Sequence, residues 1–212
     1  MSESLASSPM SIRLREETKD AHTRAERAPL FVAVFRETCP AAAMTALLRG
    51  LLPAYQAMEE ALEAHSEHSL VGAFHRPELY RSAALVSDLA DLSDAAEPVP
   101  SGLIYAKHIQ GLSEREPLLL IAHAYTRYLG DLSGGQMLGK KAHAIVGQDL
   151  AFYAFPEIKN PGAAKTAFRK RLDDLELTAE QANALVAEAS VAFDYNTAIA
   201  EEAWTGGARH TG

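Results

Sequence analysis

Apolar residues recur every three to four positions through most of this chain, and runs alternating apolar with polar residues are nearly absent. Near the start, Leu14, Thr18, Ala21, His22 and Ala25 fall on that spacing. A period near 3.6 lines up one stripe of a helix and cannot put a strand's side chains on one face, so the pattern calls for an all-α bundle. Helices are expected over about 12–27, 41–66, 77–91, 101–110, 115–147, 161–175 and 178–204.

Several ends have local causes. Thr38-Cys39-Pro40 suits a helix start, because proline at the first helical position wastes no backbone donor. Thr178-Ala179-Glu180-Gln181 has the form of a capping box. Asp94 to Gly102, with Pro98 and Pro100, reads as a connecting loop. With 212 residues, 48% of them hydrophobic, the chain can bury one sizeable core. The expected organisation is a single domain over 11–204, a flexible N-terminal tail over 1–10 and a Gly-rich C-terminal tail over 205–212.

Composition excludes other classes. Met1–Ser11 has no basic and apolar leader pattern, and no run approaches the roughly 20 apolar residues of a membrane span. A lone Cys39 cannot form an internal disulfide, which fits the cytoplasm. A formal charge of −8 argues against nucleic-acid binding. Two basic clusters stand out locally, Arg13/Arg15/Lys19/Arg24/Arg27 and Lys165/Arg169/Lys170/Arg171.

The segment 115–147 carries an anomaly, since Gly130, Gly134, Gly135 and Gly139 interrupt an apolar helical pattern. Each interior glycine costs a helix roughly 1 kcal/mol relative to alanine. Two helices joined by a loop, a kink, close helix–helix packing, or a flat ligand lying against bare backbone would each account for them.

Three constellations could carry chemistry. Thr18, His22 and Glu26 share one stripe at i, i+4, so Glu26 could accept the second ring N–H of a metal-ligating His22; an ordinary surface His–Glu pair has the same spacing. Asp131 sits among the glycines and, if buried, needs a partner, which Arg127 one turn earlier could supply. Lys165 and Arg169 place two cations on one face, as a dianionic ligand would require or as a solvated face would allow. His65 and His68 beside Glu63 and Glu67 could hold a divalent ion, or simply end a helix in solvent.

These stretches resemble the haem oxygenases of the mammalian type that also occurs in bacteria. The resemblance is carried by Glu17-Thr18-Lys19-Asp20-Ala21-His22-Thr23-Arg24-Ala25-Glu26, by Ala122 through Gln136 with its Tyr-Thr-Arg-Tyr-Leu-Gly-Asp-Leu-Ser-Gly-Gly-Gln run, by Phe152–Pro156 and by Ala192–Asn196. It implies a helical bundle with haem sandwiched between the N-terminal helix and a glycine-kinked distal helix. It further implies His22 as the iron ligand backed by Glu26, with Arg15, Tyr125, Lys165 and Arg169 at the propionates. Thr18 belongs to the same cofactor-binding face. Gly130 and Gly134 would lie over the ring, Phe193 would wall the pocket, and Asp131 would order a distal water network with Arg127, Tyr55 and Asn196. Arg15 stands where the mammalian pattern has lysine, which keeps the charge and changes the fork geometry.

The implied reaction is oxidative cleavage of haem, at once cofactor and substrate, at the α-meso carbon to biliverdin, CO and iron. It would use O2 and an external reductant such as a ferredoxin or a reductase, and biliverdin could supply a bilin-binding photoreceptor. A non-catalytic haem carrier is the alternative, since it would need His22 but neither Asp131 nor the glycines. His123 is a rival iron ligand, Cys39-Pro40 has the form of a haem-contact dipeptide, and a thiaminase-like enzyme would need Cys39 as nucleophile.

Overall fold

Residues 6–92 and 99–208 are described by the computed structural model. They form α1 (Met10–Glu17), α2 (Lys19–Glu26), α3 (Pro29–Phe35), α4 (Ala41–Ala64), α5 (Ser82–Asp91), α6 (Pro100–Arg115), α7 (Leu120–Ala124), α8 (Gly130–Val146), α9 (Pro161–Asp173) and α10 (Ala179–Ala208). A π-helical turn, Tyr125–Leu129, joins α7 to α8. Short 3-10 turns cover Val71–Phe74, Pro77–Leu79, Pro117–Leu119 and Ala151–Tyr153. No strand occurs among the described residues, as the 3.6-residue period requires.

Helix α4 is the axis of the bundle because its apolar residues run around most of its circumference. Met44, Leu47, Leu48, Leu51, Tyr55, Met58 and Leu62 are all buried, and a helix apolar on most sides must be covered on most sides. Helix α6 packs on one flank and α10 on another. The α4–α6 crossing requires glycine on both partners. A Cβ at Gly102 would lie 2.1 Å from the Gly50 carbonyl oxygen, and one at Gly50 would lie 2.3 Å from Val99 Cγ2. Helix α2 packs on α10, and α3 on α8, so the two walls of the future site are fixed to the same core.

Several expected boundaries shift. The N-terminal helix is not continuous: it breaks at Thr18 (φ −100, ψ 7), whose hydroxyl donates to the Leu14 carbonyl at 2.6 Å. A hydroxyl bonding back one turn competes with the backbone ladder and bends a helix. Pro40 is the residue before α4 and is extended (ψ 140), so it caps that helix and does not lie inside it. The element expected over 77–91 divides into a 3-10 turn and α5. The division falls at Tyr80 and Arg81, where the Glu59 carboxylate accepts from Arg81 N at 2.5 Å and Ser82 N at 3.1 Å. The segment 115–147 divides at Pro117 and at the π turn.

Of the expected loop over 94–102, residues 94–98 lie outside the described residues, while Pro100–Gly102 form the first turn of α6. Of the tails, 1–5 and 209–212 lie outside them. Met10 is 7% exposed and packs in the core, and α10 runs on through Thr205 to Ala208. The capping box at Thr178 forms as expected, with Gln181 N donating to Thr178 Oγ1 at 3.3 Å and Thr178 N to Gln181 Oε1 at 2.9 Å.

Candidate functional site

A cavity of about 740 Å³ opens between α2 and α8. Its lining is mainly apolar, with Leu47, Leu51, Phe152 and Phe193 among its walls, as small-molecule pockets generally are. Thr18, His22 and Glu26 line one side, and Gly130, Asp131 and Gly134 the other. The break at Thr18 sets the direction of α2, and His22 N donates to Thr18 O at 2.9 Å in its first turn. The His22 ring packs edge-on to Phe193 with centroids 5.3 Å apart. Its Nδ1 lies 3.6 Å from Glu26 Oε2, and half the side chain remains exposed at the cavity.

The glycines of α8 separate into two pairs. A Cβ at Gly130 would meet nothing within 4 Å, and one at Gly134 would meet only Leu138 Cδ1 at 3.6 Å, so both present bare backbone to the cavity. On the other side, a Cβ at Gly139 would lie 3.0 Å from Tyr153 Cβ and one at Gly135 3.4 Å from the Tyr153 carbonyl. Those two glycines serve packing. Of the readings open for the four glycines, close packing applies at Gly135 and Gly139, while Gly130 and Gly134 leave bare backbone at the cavity.

Behind Gly130 lies a buried polar network. The Tyr55 hydroxyl donates to Asp131 Oδ2, Arg127 Nε donates to the Tyr55 hydroxyl at 2.9 Å, and Arg127 Nη1 donates to Asn196 Oδ1. Arg127 Nη2 stands 3.6 Å from Asp131 Oδ1, so the partner that Asp131 needs is first Tyr55 and only then Arg127. These residues come from α4, the π turn, α8 and α10, four elements held by one core. The π turn adds a residue to the helical cycle directly before Gly130, a local irregularity common at functional sites.

Electrostatics follow from burial. Desolvation pushes the Asp131 carboxyl above its ordinary value, while Arg127 and the Tyr55 hydrogen bond pull the other way and fall short. Burial also pushes the Tyr55 phenol up. For Arg127 burial alone would weaken the cation, but Tyr55 and Asp131 outweigh it and keep the guanidinium charged. A carboxyl of raised proton affinity thus sits two hydrogen bonds, through Tyr55, from a fixed guanidinium.

At the mouth, Arg15, Tyr125 and Arg169 line the cavity together. Burial raises the Tyr125 phenol, opposed chiefly by the charges of Arg169 and Arg15, and Thr18 lines the cavity with them. Arg15 is largely exposed and pairs with Glu16 at 2.7 Å. Lys165 is half-buried on α9 and does not line the cavity, so only Arg169 of the expected cation pair reaches it.

The other histidines and the cysteine are engaged elsewhere. His123 is fully buried and bonded to Tyr105 and Glu188, away from the cavity. His65 bonds Ser113, and His68 Nδ1 accepts from Leu70 N and Val71 N at 3.2 Å. Cys39 is buried, with its thiol pushed up to about 11 by desolvation, which removes it as a nucleophile or a thiolate ligand.

The turn at Ala151–Tyr153 and the residues that hold it are not evident from the sequence. Asp88 of α5 accepts from Ala151 N and Phe152 N, both at 2.8 Å, and the Arg81 guanidinium donates to the Ala154 carbonyl. Those bonds set Phe152 and Tyr153 as the back wall. The available signal was Asp88 three residues after Leu85 on one helix stripe, since a carboxylate on a buried face must be bonded to something.

The family model described as heme oxygenase matches residues 8–202. A heme oxygenase from Guillardia theta is 38% identical over 205 residues, covering 92% of this chain and 86% of the relative. Heme oxygenase 1 from a Nostoc species is 36% identical with the same coverage. Among solved structures, heme oxygenase-1 from a Synechocystis species in complex with heme superposes with a TM-score of 0.91 at 30% identity, covering 96% of each chain. The heme oxygenase from Leptospira interrogans superposes at 0.87 with 31% identity, covering 92% of this chain and all of that one.

Proposed function

The chain belongs to the haem oxygenase family, and from that premise we propose that His22 holds the iron of bound haem on one side of the cavity while Asp131 manages protons on the other. It is a haem-degrading oxygenase that forms biliverdin. Haem is its substrate, and the iron supplies redox chemistry with O2 and electrons from an external donor.

The observation that carries the residue assignment is the facing of an exposed imidazole, His22, across the cavity by the bare backbone of Gly130 and Gly134. A flat macrocycle needs one axial nitrogen and one wall without side chains. Glu26 is the acceptor for the second ring nitrogen, fixing the tautomer that leaves a lone pair toward the iron. Arg15, Arg169 and Tyr125 receive the propionates, and Thr18 steadies Tyr125. Phe193 braces the imidazole edge-on.

On the opposite side Asp131 orders water against the reacting edge. Its raised proton affinity lets it hold and return a proton gently, and Tyr55, Arg127 and Asn196 keep its carboxylate aimed. A carrier would need no such buried network, which costs desolvation and stabilises nothing in a purely apolar pocket. Cleavage at the α-meso edge is what the resemblance implies through the Lys165/Arg169 pair, and of that pair Arg169 is the one at the cavity, beside Arg15.

Residues 11–204 act as the functional domain. No helix among the described residues is long and apolar enough to cross a membrane. A single, buried, unbridged cysteine supports a reducing compartment, the cytoplasm. An acidic ferredoxin or a reductase fits the basic mouth, and a bilin-binding photoreceptor is a consumer of the product.

The test is single turnover of the haem complex with excess reductant. Asp131→Ala retains haem affinity and loses most biliverdin yield; undiminished yield removes Asp131 from its role. His22→Ala loses the native axial-ligand spectrum, and an unaltered spectrum assigns the iron to another residue. Arg169→Ala gives mixed biliverdin isomers, and a single unchanged isomer overturns the seating.

A further inference from the structure

Outside the cavity lining, three nitrogen and oxygen donors converge from three different helices. His108 of α6 and His123 of α7 both point their Nε2 at one oxygen, Oε1 of Glu188 on α10, at 2.6 and 2.9 Å. One ligand atom from each of the three lies within 4.8 Å of the others. We propose that His108, His123 and Glu188 form a second metal site, which takes one borderline divalent ion such as Zn²⁺.

The donor set fits that class of ion. Two imidazoles and a carboxylate are the ligands of mononuclear zinc sites that keep a further position for water. The imidazole centroids of His108 and His123 are 5.7 Å apart and their planes are inclined by 67°, so the rings converge without stacking. Tetrahedral bonds of about 2 Å require ligand atoms about 3.3 Å apart, so the two contacts must open by about half an ångström. His108 can make that adjustment, because its side chain is 27% exposed whereas His123 is fully buried. Its exposure also gives an ion its way in.

The surroundings have the support a ligated histidine needs. Tyr105 bonds His123 Nδ1 at 2.8 Å. With Nε2–H given to Glu188, Nδ1 accepts from the Tyr105 hydroxyl. With Nε2 turned to a metal, the neutral ring carries its proton on Nδ1 and donates to the same hydroxyl oxygen, so both imidazole nitrogens stay paired in either state. Tyr195 stacks on Tyr105 with centroids 4.7 Å apart and planes within 6°, and its ring lies 5.0 Å from that of His108, which orients the outer imidazole. A bound ion would add a further tie among α6, α7 and α10 to their packing and hydrogen bonds.

Calorimetric titration of the full-length haem-free protein, the resting state of an enzyme whose haem is substrate, with Zn²⁺ is the direct test. Titration with Co²⁺, read by its visible d–d bands, reports the coordination. One equivalent should bind, with cobalt bands typical of four or five coordination and a thermal midpoint that rises with Zn²⁺ concentration. His108→Ala should weaken binding at least tenfold and erase the bands, Glu188→Gln should do likewise with native circular dichroism, and His22→Ala should leave both unchanged. No saturable binding by the wild-type chain overturns the site. So does undiminished binding by His108→Ala, which would assign the ion to an exposed pair such as His143 and Asp149.

Discussion

At the scale of single residues, the glycines of α8 allow stability and function to be separated. Adding a methyl at Gly130 or Gly134 fills open space, so Gly134→Ala should stabilise the haem-free fold by about 0.5–1 kcal/mol through helix propensity. The same methyl occupies the wall against which haem must lie, so haem turnover should fall in the stabilised variant. Gly139→Ala inverts the stability sign, since its Cβ at 3.0 Å from Tyr153 forces the wall to move, and turnover should fall with the displaced wall. Urea unfolding beside single-turnover yield checks the contrast, and a destabilised Gly134→Ala would refute it. Cys39 offers a pH test. Its folded thiol, held up to about 11 against an ordinary 9.0, stays protonated while the unfolded thiol ionises. The associated stability is therefore present below pH about 9 and lost as pH rises toward about 11. Alkylation at pH 8 should be slow in buffer and fast in urea, and equal rates would show that the thiol is accessible in the fold.

At the scale of elements, what was legible in the sequence depended on the range of the interaction. Helices bounded by proline or by a local capping box lie close to their expected places, because their causes sit within a few residues. Among the features that escaped were the break at Thr18, the π turn, the 151–153 turn and helix α3. A threonine at mid-helix spacing is ambiguous until its hydroxyl is seen to bond Leu14 O. The third turn depends on Asp88, distant in sequence from the two amides it caps. Asp88→Ala leaves both amides without that acceptor, which should cost about 2 kcal/mol or more. It should also lower turnover, because Phe152 and Tyr153 form the wall behind the cavity. Asp88→Asn keeps one acceptor oxygen and should lose less on both counts; if the two variants cost the same in chemical denaturation, shape and not hydrogen bonding holds the turn.

For the molecule as a whole, the candidate site was legible as a list and not as an arrangement. His22, Asp131, Arg127 and Arg169 were nameable from resemblance, but that Lys165 stands off the cavity, and that Asp131 leans first on Tyr55, depended on how α4, α8, α9 and α10 pack. Charge behaves similarly. The total of −8 is unfavourable for an acidic partner, yet Arg15, Lys19 and Arg169 gather at the cavity mouth while many carboxylates lie elsewhere. A local field of this kind acts within about one Debye length, roughly 10 Å at 0.1 M salt, so it can steer an acidic donor to the mouth despite the overall charge. Raising salt from about 50 to about 500 mM should then slow turnover severalfold when electrons come from an acidic ferredoxin, because steered association is screened. With ascorbate, a small reductant that needs no docking, the rate should barely change. Equal salt sensitivity with both reductants would trace the effect to haem seating at Arg15 and Arg169, and insensitivity with both would leave the basic mouth without a role in electron delivery.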